Sequence, residues 1–163
     1  MNAGANGREV CETLESVLFL SEEGERKIFL KKDLEFGYRY SSFQKMRGAI
    51  LGVKFSLDPS SEARASQLKI IDYRLKTQPY REKSAGCIFR NPAPGTPAGL
   101  LIDQCGLKGL QIGGAKVSEM HGNFIVNTQN ATSEDVLSLI RIVKEQVAGK
   151  TGIHLDVEVR ILP

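Results

Sequence analysis

The sequence predicts an α+β fold, with strands first and a mixed region of helices and short strands after them. Two runs of β-branched and large apolar residues, at residues 14–20 and 49–57, predict strands in the first third of the chain. An apolar stripe at helical spacing predicts a long helix at residues 133–148. Strands and helices do not alternate regularly, which argues against a repeated βαβ architecture.

The first third of the chain is predicted to contain an antiparallel hairpin. Residues 27–30 return as a strand after a turn at residues 22–25 and pair with the strand at residues 14–20. Residues 36–43 are aromatic and aperiodic and contain a glycine, so we expect a loop or a short helical turn there. The run at residues 49–57 adds a third strand.

A domain boundary is predicted at Asp58 and Pro59, because this breaker is followed by serines that can cap a helix. We therefore expect one domain at residues 1–57 and a second at residues 58–163. The second domain is predicted to open with a helix at residues 62–75. One face of that helix carries Ala65, Leu68, Ile71 and Leu75.

The rest of the second domain is predicted to be irregular in its order of elements. Residues 78–97 are rich in proline and glycine and should be mostly loop. The helix at residues 133–148 has Thr132 or Ser133 as its cap and Gly149 as its exit. The other predicted elements are a short helix at 98–104, strands at 110–117 and 123–127, and a half-buried strand at 154–161.

Composition excludes several classes of protein. The net charge of +3 is small, the basic residues are scattered and tryptophan is absent, so nucleic acid is not an expected partner. No run approaches the length of a membrane span, and neither a signal peptide nor a metal-binding spacing is present. The cysteines, Cys11, Cys87 and Cys105, are odd in number and lack C-x-x-C spacing, which favours a reduced, cytoplasmic setting.

The segment at residues 84–92 is the most informative stretch for chemistry. Small residues precede Cys87, and Arg90 and Asn91 follow it. Small neighbours let a ligand approach, and an arginine next to a thiol stabilises the thiolate. A buried structural cysteine beside a proline turn explains the same residues, and the residues alone favour that second interpretation.

Other residues have similarly open interpretations. Gly113 and Gly114 permit either a backbone approach to a ligand or a tight turn, and the turn is the commoner reason. Tyr38 and Arg39, next to a glycine, fit either an anion-binding loop or an ordinary surface turn. Glu158 fits a functional carboxylate, although a solvated carboxylate at a strand edge is the default.

The blocks of sequence that contain these residues also occur together, and in this order, in a known family. They lie at residues 1–9, 36–43, 76–79, 84–92, 98–109, 112–119, 121–127 and 155–160. In this series the chain resembles the C-terminal part of the UDP-N-acetylenolpyruvoylglucosamine reductases. The N-terminal flavin-binding region of that family, with its glycine-rich phosphate loop, has no counterpart in this sequence.

The resemblance implies a flavin enzyme of bacterial cell-wall synthesis. Such enzymes use FAD and NADPH to reduce UDP-N-acetylenolpyruvoylglucosamine to UDP-N-acetylmuramate for peptidoglycan, and the resemblance implies a cytoplasmic monomer. Residues 1–57 would be the end of the FAD-binding domain, and residues 58–163 the substrate-binding domain.

The resemblance also implies roles for individual residues. Arg39 would be the cation that stabilises the substrate carboxylate, and Glu158 would act beside it on the same oxyanion. Cys87 stands where most of the family carries a proton-donating serine. Substrate contacts are implied for Tyr38, Lys76, Asn91, His121 and Asn123, and cofactor contacts for Ala3, Gly4, Ala5 and Arg160.

Two alternatives to a complete reductase remain. The chain would be a truncated, flavin-free fragment that only binds the UDP-sugar substrate, or an unrelated cysteine enzyme. The second alternative requires Cys87 to work with His121 or His154 as a base within hydrogen-bond reach.

Overall fold

The computed structural model describes residues 1–162 and divides the chain into two compact units, Met1–Ser61 and Glu62–Pro163. Both units mix helix and sheet, so the predicted α+β class is confirmed at this level. Among the described residues, no helix combines the length and the apolar character needed to cross a membrane.

A three-stranded antiparallel sheet organises the first unit, in the order β4 (Arg26–Leu30), β3 (Leu14–Ser21) and β7 (Gly48–Phe55). Its small core contains the buried residues Leu14, Val17 and Leu34, against which Phe29 and Phe43 pack. The hairpin and the third strand predicted from the sequence are confirmed. The elements of this unit are β1 (Gly4–Ala5), β2 (Arg8–Glu9), α1 (Val10–Thr13), β3 (Leu14–Ser21), β4 (Arg26–Leu30), β5 (Phe36–Gly37), β6 (Tyr40–Ser41) and β7 (Gly48–Phe55).

The aromatic segment predicted as a loop or helical turn is a tight hairpin. Strand β5 pairs with β6 through Gly37 and Tyr40, so the turn between them consists of Tyr38 and Arg39. A 3-10 turn, Ser42–Lys45, follows it, and only this part of the prediction was correct. Strands of two residues are too short to produce the alternation by which a strand is recognised in a sequence.

A four-stranded antiparallel sheet organises the second unit, in the order β8 (Lys83–Cys87), β11 (Phe124–Asn127), β10 (Ala115–Val117) and β9 (Gln111–Ile112). The apolar stripe of the long helix α4 (Ser133–Thr151), including Leu139, Val143 and Val147, is buried in the core. Burial of each such side chain contributes about 1.5–3 kcal/mol. The elements are α2 (Ala63–Thr77), β8 (Lys83–Cys87), α3 (Ala98–Gln104), β9 (Gln111–Ile112), β10 (Ala115–Val117), β11 (Phe124–Asn127) and α4 (Ser133–Thr151).

Two predictions for the second unit were wrong, and a third, the mostly irregular segment at residues 78–97, was correct except for one strand. Strand β8 lies within the predicted loop, because its pairing with β11 outweighs the low strand propensity of its small residues. The single strand predicted at 110–117 is a hairpin that turns at Gly113, where φ is +51°. The strand predicted at 154–161 is reduced to one bridge between Phe89 and Val157.

The long helix was predicted with the correct start and the wrong end. Thr132 and Asp135 cap it reciprocally, since Asp135 N donates to Thr132 Oγ1 (3.1 Å) and Thr132 N to Asp135 Oδ2 (2.9 Å). The helix continues through Gly149 and ends at Gly152, which has a φ of +71° and whose N–H donates to the carbonyl of Ala148. A glycine inside a helix does not end it when the next glycine can adopt the left-handed cap.

This helix end generates a stability prediction. Gly149→Ala should raise the free energy of unfolding by about 0.5–1 kcal/mol, because alanine loses less backbone entropy in a helix and no atom lies within 4 Å of the added Cβ. Gly152→Ala is the matched control and should destabilise, because alanine is strained at positive φ. Urea denaturation measures both; a destabilising Gly149→Ala would contradict this helix end.

Candidate functional site

A cavity of about 310 Å³ in the second unit collects four of the residues implied by the family resemblance. It is lined by Cys87 at the end of β8, by Asn91 in the loop after β8, and by His121 and Asn123 in the segment before β11. Its wall is completed by Pro97, Gly99, Leu100, Asp103, Lys108, Met120 and Gly122. The cavity therefore combines polar side chains of several chemical types with apolar walls.

Asn123 fixes the backbone segment that directly follows β8. Its side chain is buried, and its amide contacts both backbone groups of Phe89: Phe89 N donates to Oδ1 (2.9 Å) and Nδ2 donates to Phe89 O (2.8 Å). Ile88 N donates in addition to the carbonyl of Asn123 (2.9 Å). A buried amide paired in this way holds the backbone of Phe89 and its neighbours in one position.

Asn91 connects the loop after β8 to the helix on the other side of the cavity. Its Oδ1 accepts a hydrogen bond from Ala98 N (3.0 Å), at the first residue of α3. This bond satisfies one of the amide groups that a helix start leaves without a partner inside the helix. Asn91 is exposed, so its amide also borders solvent in the cavity.

His121 stands close to α3 because Gly99 has no side chain. A Cβ at Gly99 would lie 2.9 Å from His121 Cε1 and 3.4 Å from the Cβ of Asn123. His121 Nδ1 accepts a hydrogen bond from Asn123 N (3.2 Å), and its ring lies edge-on to Phe124 at 4.9 Å between centroids. When the imidazole is neutral, its proton is therefore on Nε2, which is a donor.

The charged side chains of the cavity are Lys108 and Asp103, which sequence reasoning did not single out. Lys108 Nζ lies 2.7 Å from Asp103 Oδ2, and the side chain of Lys108 is only partly exposed. Burial lowers the pKa of His121 below its usual value, and the positive charge of Lys108 lowers it further. A lone lysine after a short helix gives no signal in a sequence, because its neighbours in space come from elsewhere in the chain.

Cys87 and Glu158 are linked through the backbone. Cys87 is the last residue of β8, is exposed and lines the cavity. Glu158 N donates to the carbonyl of Ile88 (2.8 Å), so Glu158 lies beside the residue that follows Cys87. Glu158 is not among the lining residues of this cavity. The expectation of a buried structural cysteine is wrong, because Cys87 is exposed.

Arg39 belongs to the first unit, in the turn between β5 and β6. It has a φ of +55°, and its guanidinium carbon lies 5.0 Å from the centre of the Tyr38 ring. Gln44 Nε2 donates to the carbonyl of Arg39 (3.2 Å).

The remaining implied residues lie outside the cavity. Lys76 is exposed on α2 and pairs with Asp72 one turn away (2.7 Å), and Arg160 is exposed after the bridge at Val157. Ala3, Gly4 and Ala5 lie at β1. The space beside Gly4 is filled by Glu9, because a Cβ there would lie 3.3 Å from Glu9 Cγ.

Comparison with known proteins agrees with the resemblance found in the sequence. The family model of the UDP-N-acetylenolpyruvoylglucosamine reductase C-terminal domain matches residues 78–162, which is more than half of the chain. The chain belongs to this reductase family.

Individual members of the reductase family match the whole chain. The UDP-N-acetylenolpyruvoylglucosamine reductase of Protochlamydia amoebophila is 56% identical over 163 residues, covering 100% of this chain and 54% of the relative. The reductase of Chlamydia felis is 45% identical with the same coverage. The chain therefore spans about half the length of the curated relatives it matches.

A solved member of the reductase family has the same fold. The crystal structure of the reductase (MurB) from Thermus caldophilus superimposes with a TM-score of 0.83 at 39% sequence identity. The match covers 100% of this chain and 58% of that one. The resemblance predicted from the ordered sequence blocks is thus confirmed at the level of the family.

The lowered pKa of His121 generates a pH prediction. Folding favours the neutral form of His121, because its pKa is lower in the folded chain than the ordinary pKa of 6.5. The contribution of His121 to the free energy of unfolding is therefore fully present above pH 6.5. That stability is lost as the pH falls below 6.5 toward the lowered pKa. Between about pH 7.5 and about pH 5.5, the wild type should therefore lose more stability than His121→Gln does.

Urea denaturation at the two pH values measures the difference. His154→Gln is the matched control, because His154 is exposed and does not line the cavity, and it should retain the wild-type pH dependence. An equal pH dependence in the wild type and in His121→Gln would contradict the assignment of a neutral, partly buried imidazole.

Proposed function

We propose that this chain is the substrate-binding and proton-donating part of a UDP-N-acetylenolpyruvoylglucosamine reductase, an enzyme of peptidoglycan synthesis. The observation that carries the proposal is the cavity in which Cys87, Asn91, His121 and Asn123 meet Lys108. Family membership supports the reaction, and the composition of the cavity supports the kind of ligand. We also propose that the protein is a monomer and that it acts in the bacterial cytoplasm.

The chemistry of the cavity suits a UDP-sugar. Lys108 supplies an ammonium group for the diphosphate, which would replace Asp103 as its partner through charge-assisted hydrogen bonds to phosphate oxygens. Asn91 and the Nε2–H of His121 supply neutral donors for sugar or base oxygens. The apolar walls at Pro97, Leu100 and Met120 suit the faces of rings. A volume of about 310 Å³ accommodates part of such a ligand.

Cys87 is proposed as the proton donor. Reduction of the enolpyruvyl ether adds a hydride and a proton across its double bond, and the proton is added at the carbon that carries the carboxylate. Cys87 lines the cavity at the end of β8, and a thiol gives up a proton far more readily than the serine hydroxyl usual in the family. The Sγ–H proton would go to that carbon.

Arg39 and Glu158 are proposed to control the negative charge of the same substrate group. Negative charge develops on the carboxylate side of the double bond, and a guanidinium can donate to two carboxylate oxygens at once. Glu158 would act on the same oxyanion beside Arg39. The bond from Glu158 N to Ile88 O supports a role next to Cys87. Tyr38 and Lys76 stay proposed substrate contacts.

The cofactor residues Ala3, Gly4, Ala5 and Arg160 do not form a flavin site by themselves. The open side of Gly4 is occupied by Glu9, whose carboxylate Oε1 would lie 3.7 Å from an added Cβ, and a carboxylate repels a phosphate. These residues therefore do not fit a complete FAD site, and we derive no step through FAD or NADPH for this chain. Both remain part of the proposal for the family reaction.

The two alternatives differ in how well the cavity supports them. A flavin-free fragment that only binds UDP-sugar would use the same residues. An unrelated cysteine enzyme would need His121 or His154 as a base. His121 already accepts a hydrogen bond at Nδ1 and carries its proton on Nε2, and His154 does not line the cavity, so neither histidine supports this alternative.

The composition of β1 and its surroundings generates a cofactor prediction. FAD mixed with the purified chain should separate from it on gel filtration, because Glu9 fills the space beside Gly4 and no cradle for the pyrophosphate is supplied there. The measurement is the flavin absorbance of the protein fraction. Stoichiometric flavin in that fraction would contradict the prediction.

Binding of the UDP-sugar generates the test of the main proposal. UDP-N-acetylglucosamine should slow alkylation of Cys87 by iodoacetamide and leave Cys11 unaffected, as measured by peptide mass spectrometry. Lys108→Met should raise the ligand concentration that gives half-maximal protection by about tenfold or more, the effect of one lost charge-assisted hydrogen bond. Lys116→Met is the matched control, since Lys116 has a similar exposure of 26% and does not line the cavity.

The outcomes of the protection experiment are distinct. Unprotected Cys87 at saturating ligand would overturn the proposal that the cavity binds the sugar nucleotide. Protection that is lost equally in Lys108→Met and Lys116→Met would overturn the assignment of the diphosphate to Lys108.

A further inference from the structure

Arg39 has a backbone conformation that is unusual for its side chain. Its φ of +55° lies in the left-handed region. Among residues 1–162, the other residues with positive φ are glycines and asparagines, Asn6 and Asn130 being the asparagines. Glycine and asparagine tolerate this region, whereas a long side chain is strained there. Such strain persists only where surrounding contacts hold the residue in place.

Two side-chain amides hold the carbonyl groups of this turn. Gln44, which is half-buried in the 3-10 turn after β6, donates from Nε2 to the carbonyl of Arg39 (3.2 Å). Asn2 donates from Nδ2 to the carbonyl of Gly37 (3.4 Å), on the other side of the turn. Asn2 is 2% exposed and is fixed by Glu9 (2.8 Å) and by the N–H of Cys11 (3.0 Å). The turn is therefore held at both ends.

We propose that Gln44 is a positioning residue for Arg39, with Asn2 as the anchor on the other side of the turn. The inference rests on the proposed function, in which Arg39 pairs with the substrate carboxylate. Fixing the carbonyl of Arg39 fixes the peptide plane that follows it, and the Tyr38 ring 5.0 Å from the guanidinium carbon restricts the side chain. The guanidinium is thereby ordered before the ligand arrives, which reduces the entropy lost on binding.

A purely structural role for Gln44 explains the turn less well. The hairpin is already closed by the pairing of Gly37 with Tyr40, and a glycine in place of Arg39 would remove the strain. The hydrogen bond from Gln44 acts on Arg39, the residue of this turn whose backbone conformation is costly. Stabilising that conformation matters if the side chain of Arg39 must point in a defined direction.

The test compares two ligands of the intact chain. UDP-N-acetylenolpyruvoylglucosamine carries the carboxylate and UDP-N-acetylglucosamine lacks it. The dissociation constant of UDP-N-acetylglucosamine divided by that of UDP-N-acetylenolpyruvoylglucosamine, both measured by calorimetry, therefore reports the contribution of the carboxylate to binding. We expect Gln44→Met to lower this ratio roughly fivefold, the effect of one lost hydrogen bond. Gln44→Glu, which keeps the length but loses the donor, should do the same and serves if Gln44→Met does not fold. Gln146→Met, on the exposed face of α4, is the matched control and should leave the ratio unchanged.

Two further measurements separate positioning from direct contact. In an Arg39→Lys background, Gln44→Met should lower the ratio no further, because residues acting through one another are not additive. NMR scalar couplings that report the φ of Arg39 should shift away from the left-handed value in Gln44→Met and stay unchanged in Gln146→Met. An additional loss in the Arg39→Lys background, or unchanged couplings, would overturn the inference.

Failure of the inference and failure of the proposed function give different results. A ratio that depends on Arg39 but not on Gln44 overturns the positioning role alone. A ratio that is unchanged in Arg39→Lys overturns the role of Arg39 in binding the carboxylate and, with it, the inference built on that role.

Discussion

The buried amide of Asn123 is the contact on which the candidate site depends. It pairs with both the N–H and the carbonyl of Phe89, and the N–H of Ile88 donates to the backbone carbonyl of Asn123. Cys87 precedes the segment that Asn123 fixes, and Asn91 follows it. On the other side, Arg90 N donates to Asp156 O and Glu158 N to Ile88 O. One buried side chain thus determines where the thiol, the capping amide and the carboxylate stand.

Long, strongly patterned elements could be predicted from the sequence, and pairings between distant segments could not. Helix α4 was found because its buried stripe repeats at helical spacing, and its capping residues mark its start. Strand β8 was missed because it consists largely of small residues, which become a strand only by pairing with β11. The last strand was predicted from its alternation, but only Val157 finds a bridge partner.

The candidate site shows the same division. Cys87 and Asn91 were noticed because they lie close together in an unusual stretch of sequence. His121 and Asn123 were assigned by family resemblance, and the structure brings them to the same cavity. Lys108 was not singled out, because its importance comes from its neighbours in space: Asp103, with which it pairs, and His121, whose pKa its charge lowers. The roles of Arg39 and Glu158 remain proposals.

The contact between Gly99 and His121 restricts how this wall of the cavity can change during evolution. A methyl group at position 99 would lie 2.9 Å from the imidazole, so the two positions cannot vary independently. A larger residue at position 99 requires either that the imidazole moves away or that a shorter residue stands at position 121. The pair should therefore covary among homologues, and the ligand preference of this wall would change in coordinated steps rather than one residue at a time.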